Sequence, residues 1–107
     1  VVFVEKNRRV FKVLKKNIDL FEPENSKLIL MDVKKYLVQV KNQQFDIILA
    51  DPPYSEVSFA SVKERAEHFL KPGGIFCLEM KKEAIDETNV RVKHYGSTQV
   101  VFWKSAA

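Results

Sequence analysis

The sequence predicts an α/β fold: a mostly parallel sheet of short apolar strands with helices between them, finished by an antiparallel hairpin. Three observations predict it. Short β-branched runs alternate with segments whose apolar residues keep helical spacing. Three of those runs lead straight into an acid: Val1 to Val4 before Glu5, Lys27 to Met31 before Asp32, and Phe45 to Ala50 before Asp51. Near the C-terminus, Val90 to Tyr95 and Thr98 to Trp103 alternate strictly about Gly96-Ser97.

Each element has a local reason. Val1 to Val4 is short and continuously apolar, as a buried strand is. Asn7 is placed to cap a helix in which Val10, Leu14 and Ile18 recur every four residues with Phe11 beside them, ending near Phe21 where Glu22-Pro23-Glu24-Asn25 supplies a turn. Lys27 to Met31 reads as a second buried strand. Asp32 then caps a short helix from Val33 to about Lys41, with Tyr36, Leu37 and Val40 inward. Asn42-Gln43-Gln44 connects to a third buried strand, Phe45 to Ala50. Phe59, Val62, Ala66, Phe69 and Leu70 keep helical spacing up to Lys71-Pro72-Gly73-Gly74, a helix stop and tight turn. Ile75 to Met80 is a fourth strand, Lys81 to Thr88 a loose helical turn, and the hairpin closes the chain.

With 107 residues the chain is at most one domain, since domains commonly run to about 100–150 residues. A composition of 46% hydrophobic and 30% charged residues suits a packed core and argues against disorder. No apolar stretch approaches the ~20 residues that span a bilayer, and no signal-like segment opens the chain, so a cytoplasmic protein without a membrane partner is expected. The single cysteine, Cys77, reads as core and suits a reducing compartment. Net charge is +4, and Lys6, Arg8, Arg9, Lys12, Lys15 and Lys16 crowd one end, which favours a polyanionic partner or else marks a solvated helix face. The sequence begins without methionine inside a strand, so a fragment of a longer protein is expected.

Asp51-Pro52-Pro53-Tyr54 carries the chemistry. An exocyclic amine on a nucleobase is a poor nucleophile because its lone pair is delocalised into the ring. A catalyst must hold its N–H groups so that the lone pair points at an electrophile. Asp51 offers a carboxylate and Pro52 a carbonyl, two prolines fix the loop, and Tyr54 can stack on a flat target. Methylation of a planar nitrogen suits this set. In parallel α/β sheets ligands sit at the carboxyl ends of strands, so Glu5, Asp32 and Asp51 are expected to line one crevice.

These residues resemble the class I S-adenosylmethionine-dependent methyltransferases, and among them the bacterial 16S ribosomal RNA guanine-N2 methyltransferases. The matching segments are Val-Glu-Lys-Asn at 4–7, Met-Asp at 31–32, Asp-Pro-Pro-Tyr at 51–54, Leu-Lys-Pro-Gly-Gly at 70–74 and Tyr-Gly-Ser-Thr at 95–98. The resemblance implies a Rossmann-like sheet and a single partial domain over residues 1–107, running from the family's second strand to its C-terminal hairpin. Glu5, next to Lys6, would take the donor's ribose hydroxyls, Asp32 the adenine amine, and the Val33 N–H a ring nitrogen. Asp51 would border the donor as well, and with Pro52, Pro53 and Tyr54 would hold a flipped guanine. Ribosomal RNA or an assembling small subunit is the implied partner, and no metal is required.

One departure is plain: the family's glycine-rich loop after its first strand has no counterpart, since Gly73, Gly74 and Gly96 all follow the Asp51 loop. The absent first strand would lie between Val1 to Val4 and Phe45 to Ala50, so the isolated chain is expected to be inactive and open to self-association through unpaired edges. Adenine-N6 methylation uses the same tetrapeptide, and a non-catalytic RNA-binding fragment is a further alternative. Glutamine methylation in a protein fits less well, because that family carries Asn where this chain has Asp51. His68 and His94 read as structural or surface residues, and no Cys/His cluster suggests a metal.

Overall fold

The structure, a computed structural model, describes residues 1–21, 26–40, 44–52 and 58–106. The expected turn at 22–25 and most of the connector at 42–44 lie outside the described residues, as do Pro53 and Tyr54. The chain divides into two units, Val1–Asn42 and Gln43–Ala107.

The first unit is a strand–helix–strand crossover followed by a short helix. Strand β1 (Val2–Glu5) pairs in parallel with β2 (Lys27–Leu30), in the register Val2↔Lys27 to Glu5↔Leu30. Between them runs helix α1 (Arg8–Phe21). It starts where expected because the Asn7 Oδ1 accepts from the backbone N–H groups of Arg9 and Val10, at 2.9 and 3.1 Å. Phe11, Leu14 and Ile18 are half-buried, while Val10, at the margin of that stripe, is exposed. Helix α2 (Val33–Gln39) buries Tyr36 and ends slightly before the expected Lys41.

The second unit holds a four-stranded sheet in the order β3-β4-β6-β5, formed by β3 (Phe45–Ala50), β4 (Leu70–Lys81), β5 (Val90–Tyr95) and β6 (Thr98–Lys104). Strands β3 and β4 are parallel, while β6 runs antiparallel to both β4 and β5. Parallel pairs plus an antiparallel hairpin are the predicted fold class. Helix α3 (Phe59–Glu67), capped by Ser58, covers one face. There Phe59, Ala66, Leu70, Phe76, Leu78, Met80, Val101 and Trp103 form the core, with the Phe59 and Phe76 rings 6.2 Å apart. Burying such side chains stabilises the unit by roughly 1.5–3 kcal/mol for each large one.

The strands are less buried than their apolar runs predict. Ile48 and Ala50 of β3 pack on the core, but Ile47 and Leu49, pointing the other way, are 61% and 75% exposed. Lys27 and Leu30 of β2 are likewise exposed and β1 is half-buried. A continuous apolar run matches two-sided cover, whereas α3 covers only one side of β3.

Two further expectations are corrected. Helix α3 stops at Glu67 and does not reach Leu70: the Phe69 N–H turns back to the Ala66 carbonyl at 2.9 Å, and the Phe69 carbonyl accepts from the Phe45 N–H at 2.7 Å. Lys71 to Gly74 is therefore an irregularity inside β4, where the register passes from Phe45↔Leu70 to Ile47↔Ile75. Lys81 ends β4, and residues 82–87 form no helical turn. Side chains tie that segment down. Gln99, fully buried, donates to the Glu83 carbonyl at 2.9 Å, the Glu83 carboxylate accepts from the Phe59 N–H at 3.3 Å, and Lys63 pairs with Glu87 at 3.2 Å while lying 4.5 Å over the Trp103 ring.

Gly74 locks the β4 irregularity. A Cβ there would meet the Lys71 carbonyl oxygen at 2.8 Å and that of Asp46 at 3.1 Å, both backbone atoms. Gly74→Ala is expected to destabilise the chain by about 1–3 kcal/mol. Chemical denaturation checks this: the midpoint should fall with an unchanged slope, and an unmoved midpoint would show that the backbone yields freely.

Candidate active site

In the first unit, Glu5 is the last residue of β1, and Asp32 follows β2 by two residues, so both acids close the same end of one parallel pair. Each has a structural task. One Glu5 carboxylate oxygen accepts from the Asn7 N–H at 3.0 Å, shaping the turn into α1. Asp32 Oδ1 accepts from the Lys34 N–H at 2.8 Å, as the expected cap of α2. The second oxygen of each carboxylate carries two lone pairs that can take hydroxyl or amine donors. Lys6 and Val33 are exposed beside them. A depression at the start of α1, lined by Asn7, Arg8, Arg9 and Lys12, is cationic.

In the second unit, Asp51 and Pro52 continue directly from β3, with Asp51 exposed and Pro52 half-buried. Beside them stands a residue that the sequence reading missed. Ala50 pairs with Leu78, so the parallel register sets Glu79 next to Asp51. Alternation puts both on the face away from α3, because Leu78 and Ala50 face the core. The register sets the two carboxyl groups close enough to interact. Desolvation first, then the Glu79 charge and hydrogen bonding with the Glu79 side chain, push the Asp51 carboxyl above its ordinary range. The sequence signal was an acid breaking the apolar run of β4, legible only once β3 and β4 are known to be parallel neighbours.

Cys77, on the same face as Glu79, is half-buried and so less enclosed than expected; desolvation and then Glu79 raise its thiol. His68 caps the C-terminus of α3 and His94 pairs with Gln99 on β5, and both are exposed. Among the described residues no group of three or more His, Cys, Asp or Glu could hold a metal, and no helix is long and apolar enough to cross a membrane.

In each unit acids stand at the tip of a parallel strand, where α/β sheets commonly bind ligands, and solved structures share the fold. A candidate methylase from Haemophilus influenzae is 25% identical with a TM-score of 0.76, and the match covers 100% of this chain and 73% of that one. A candidate methyltransferase from Escherichia coli is 21% identical with a TM-score of 0.82, covering 99% of this chain and 62% of that one. A candidate S-adenosylmethionine-dependent methyltransferase from Streptococcus mutans, 14% identical with a TM-score of 0.74, is matched over 96% of this chain and 38% of that one. The chain belongs to the family described as conserved hypothetical protein 95, whose pattern matches residues 1–104. No curated protein matches it significantly.

Asp32 separates structural from binding roles. Asp32→Ala is expected to cost about 1 kcal/mol through loss of the α2 cap, while Asp32→Asn, which keeps an acceptor oxygen, costs only a few tenths. Thermal unfolding of both variants checks the pair, and an equal loss in each would show that the carboxylate charge itself matters to the fold.

Proposed function

We propose that the chain is the greater part of an S-adenosylmethionine-dependent methyltransferase acting on the exocyclic N2 amine of a guanine in small-subunit ribosomal RNA. The observation that carries the reading is the tip of β3, where Asp51 and the Pro52 carbonyl stand as adjacent acceptors immediately beyond a sheet strand. The family and the structural neighbours support methyl transfer, and the resemblance at 51–54 and 95–98 supports the amine and the base. We further propose that the donor's glycine-rich loop and a strand between β1 and β3 belong to a longer parent. The described strands form two separate sheets, one holding β1 and the other β3.

The residues present suit the donor. Glu5 and Asp32 each keep a carboxylate oxygen for the ribose hydroxyls and the adenine amine, beside Lys6 and the Val33 N–H. Bound there, S-adenosylmethionine supplies an electrophilic sulfonium methyl. Asp51 and Pro52 accept the two N–H bonds of the amine, draw its nitrogen towards tetrahedral geometry and aim the lone pair. Transfer forms an N–C bond and breaks a C–S bond, whose electron pair stays on sulfur. The nitrogen then sheds one proton, for which Asp51 is the adjacent acceptor. By the resemblance, Pro53 and Tyr54 would serve as the loop's second brace and the base-stacking ring.

Helix α1 supports an RNA partner. Arg8, Arg9, Lys12, Lys15 and Lys16 are all exposed and share one side of the helix by their spacing, opposite Phe11, Leu14 and Ile18. Such a stripe follows a phosphate backbone and makes binding salt-dependent.

The test is methyl transfer from radiolabelled donor to assembled small subunits, naked ribosomal RNA and DNA, with digestion to nucleosides, alongside calorimetric titration of the 107-residue chain with S-adenosylhomocysteine. The expected label is N2-methylguanosine in RNA, carried by the parent protein. Asp51→Ala should lose about 100-fold or more in kcat. Label in N6-methyladenosine would replace guanine by adenine. Steep, salt-sensitive RNA binding without transfer by the parent would leave a binding protein only.

A further inference from the structure

The β3–β4 register brings a second carboxyl, that of Glu79, to Asp51, and the proposed amine chemistry leaves it without a part. We propose that Glu79 is a positioning residue for Asp51: set beside it by the neighbouring strand, its carboxylate accepts the hydrogen bond of the proton that Asp51 takes from the amine. This rests on the reading of Asp51 as the amine acceptor.

Ala50↔Leu78 is a direct pair, Asp51 and Glu79 are the next residues on parallel strands, and both side chains leave the sheet on the same face. Glu79 sits within the long strand β4, held between β3 and β6, and is half-buried, whereas Asp51 lies just past its strand and is exposed. Glu79 is thus the better anchored of the two. The raised Asp51 carboxyl has Glu79 among its causes, and a carboxylate that binds a proton more readily is the better acceptor for one leaving nitrogen.

On the same face of β4 stand Cys77 and Lys81, two residues before and after Glu79. On β6 the partner of Glu79 is the neutral Val100, and beyond it on β5 comes Lys93. Neither lysine contributes to the Asp51 displacement, whose charge cause is Glu79. Tyr54 and Glu56 lie outside the described residues.

Carboxyl-carbon NMR titration of the chain, wild type against Glu79→Gln and Glu79→Asp, tests the pairing without needing turnover. The pH dependence of methyl transfer by the parent protein, with the same variants, tests its use. In wild type the Asp51 midpoint should lie above that of an ordinary aspartate. Glu79→Gln should lower it, carry the acid limb of kcat to lower pH by the same interval, and reduce plateau kcat by up to ~100-fold with donor affinity unchanged. Glu79→Asp, which keeps the charge, should restore part of both shifts. A merely structural Glu79 would lower stability and leave the acid limb in place. Transfer by wild type with an Asp51 midpoint and acid limb indifferent to Glu79→Gln would overturn the positioning role alone. A wild-type parent that methylates no amine, while the midpoint still falls in Glu79→Gln, would sink the methyltransferase reading and the positioning role with it.

Discussion

The parallel pairing of β3 with β4 is the constraint on which the second unit depends. It carries Asp51 to the edge of the sheet, sets Glu79 beside it, and turns Phe76, Leu78 and Met80 towards α3. Because side chains alternate with a period of two, a slip of one residue would send those three out and Cys77 and Glu79 in. The irregularity at Lys71 to Gly74 guards against that slip. Gly73, at φ 76°, takes a left-handed turn that few other residues accept, and Gly74 lets the Lys71 and Asp46 carbonyls close in where a Cβ would collide. The C-terminal residues hold the same place from the other side, with the Ser105 hydroxyl donating to the Lys71 carbonyl and the Ser105 N–H to that of Gly74, both at 2.9 Å.

The two faces of this sheet consequently do different work. The covered face is a hydrophobic core with one polar member, Gln99, whose amide N–H fixes the chain after β4 through the Glu83 carbonyl. Glu83 in turn caps the first N–H of α3 through its carboxylate, so the segment leaving β4 links that helix to the buried Gln99. The opposite face carries Asp51, Glu79 and Cys77 with Ile47 and Leu49. Titratable groups stand on the side that the core does not need, where desolvation is milder than in the interior although Asp51 and Cys77 still feel it.

What was legible in the sequence followed from local chemistry. Asn7, Asp32 and Ser58 cap helices by hydrogen bonds to amides two or three residues on, and the first two were readable as caps from their place before helical spacing. The strand at Phe45–Ala50 and the hairpin about Gly96 were readable for the same reason. What was illegible depended on partners far along the chain. Phe69 and Leu70 fit a helix as well as a strand, and pairing with Phe45 decides for the strand. Residues 82–87 have no periodicity, since their order comes from Gln99, Phe59 and Lys63. Glu79 belongs to this second kind: its neighbour in space is 28 positions away in sequence (79 − 51) and visible only through a strand register.

The same register sets the pH sense of the site. A carboxyl whose folded value lies above its unfolded one binds protons more tightly in the folded chain, so its contribution to stability is full below the ordinary aspartate value. It is lost as pH rises through the raised folded value. Asp51 has this sense, which is opposite to that of a carboxylate held by a cation. At neutral pH, then, neither burial nor Glu79 helps to hold the fold through the Asp51 carboxylate. Both work against its charged form, and β4 keeps the pair together through backbone bonds on both sides and the core contacts of Leu78 and Met80. Glu79 thus opposes the charged form of Asp51 from an interior strand paired on both sides, and at neutral pH the fold gains nothing from setting the two acids side by side.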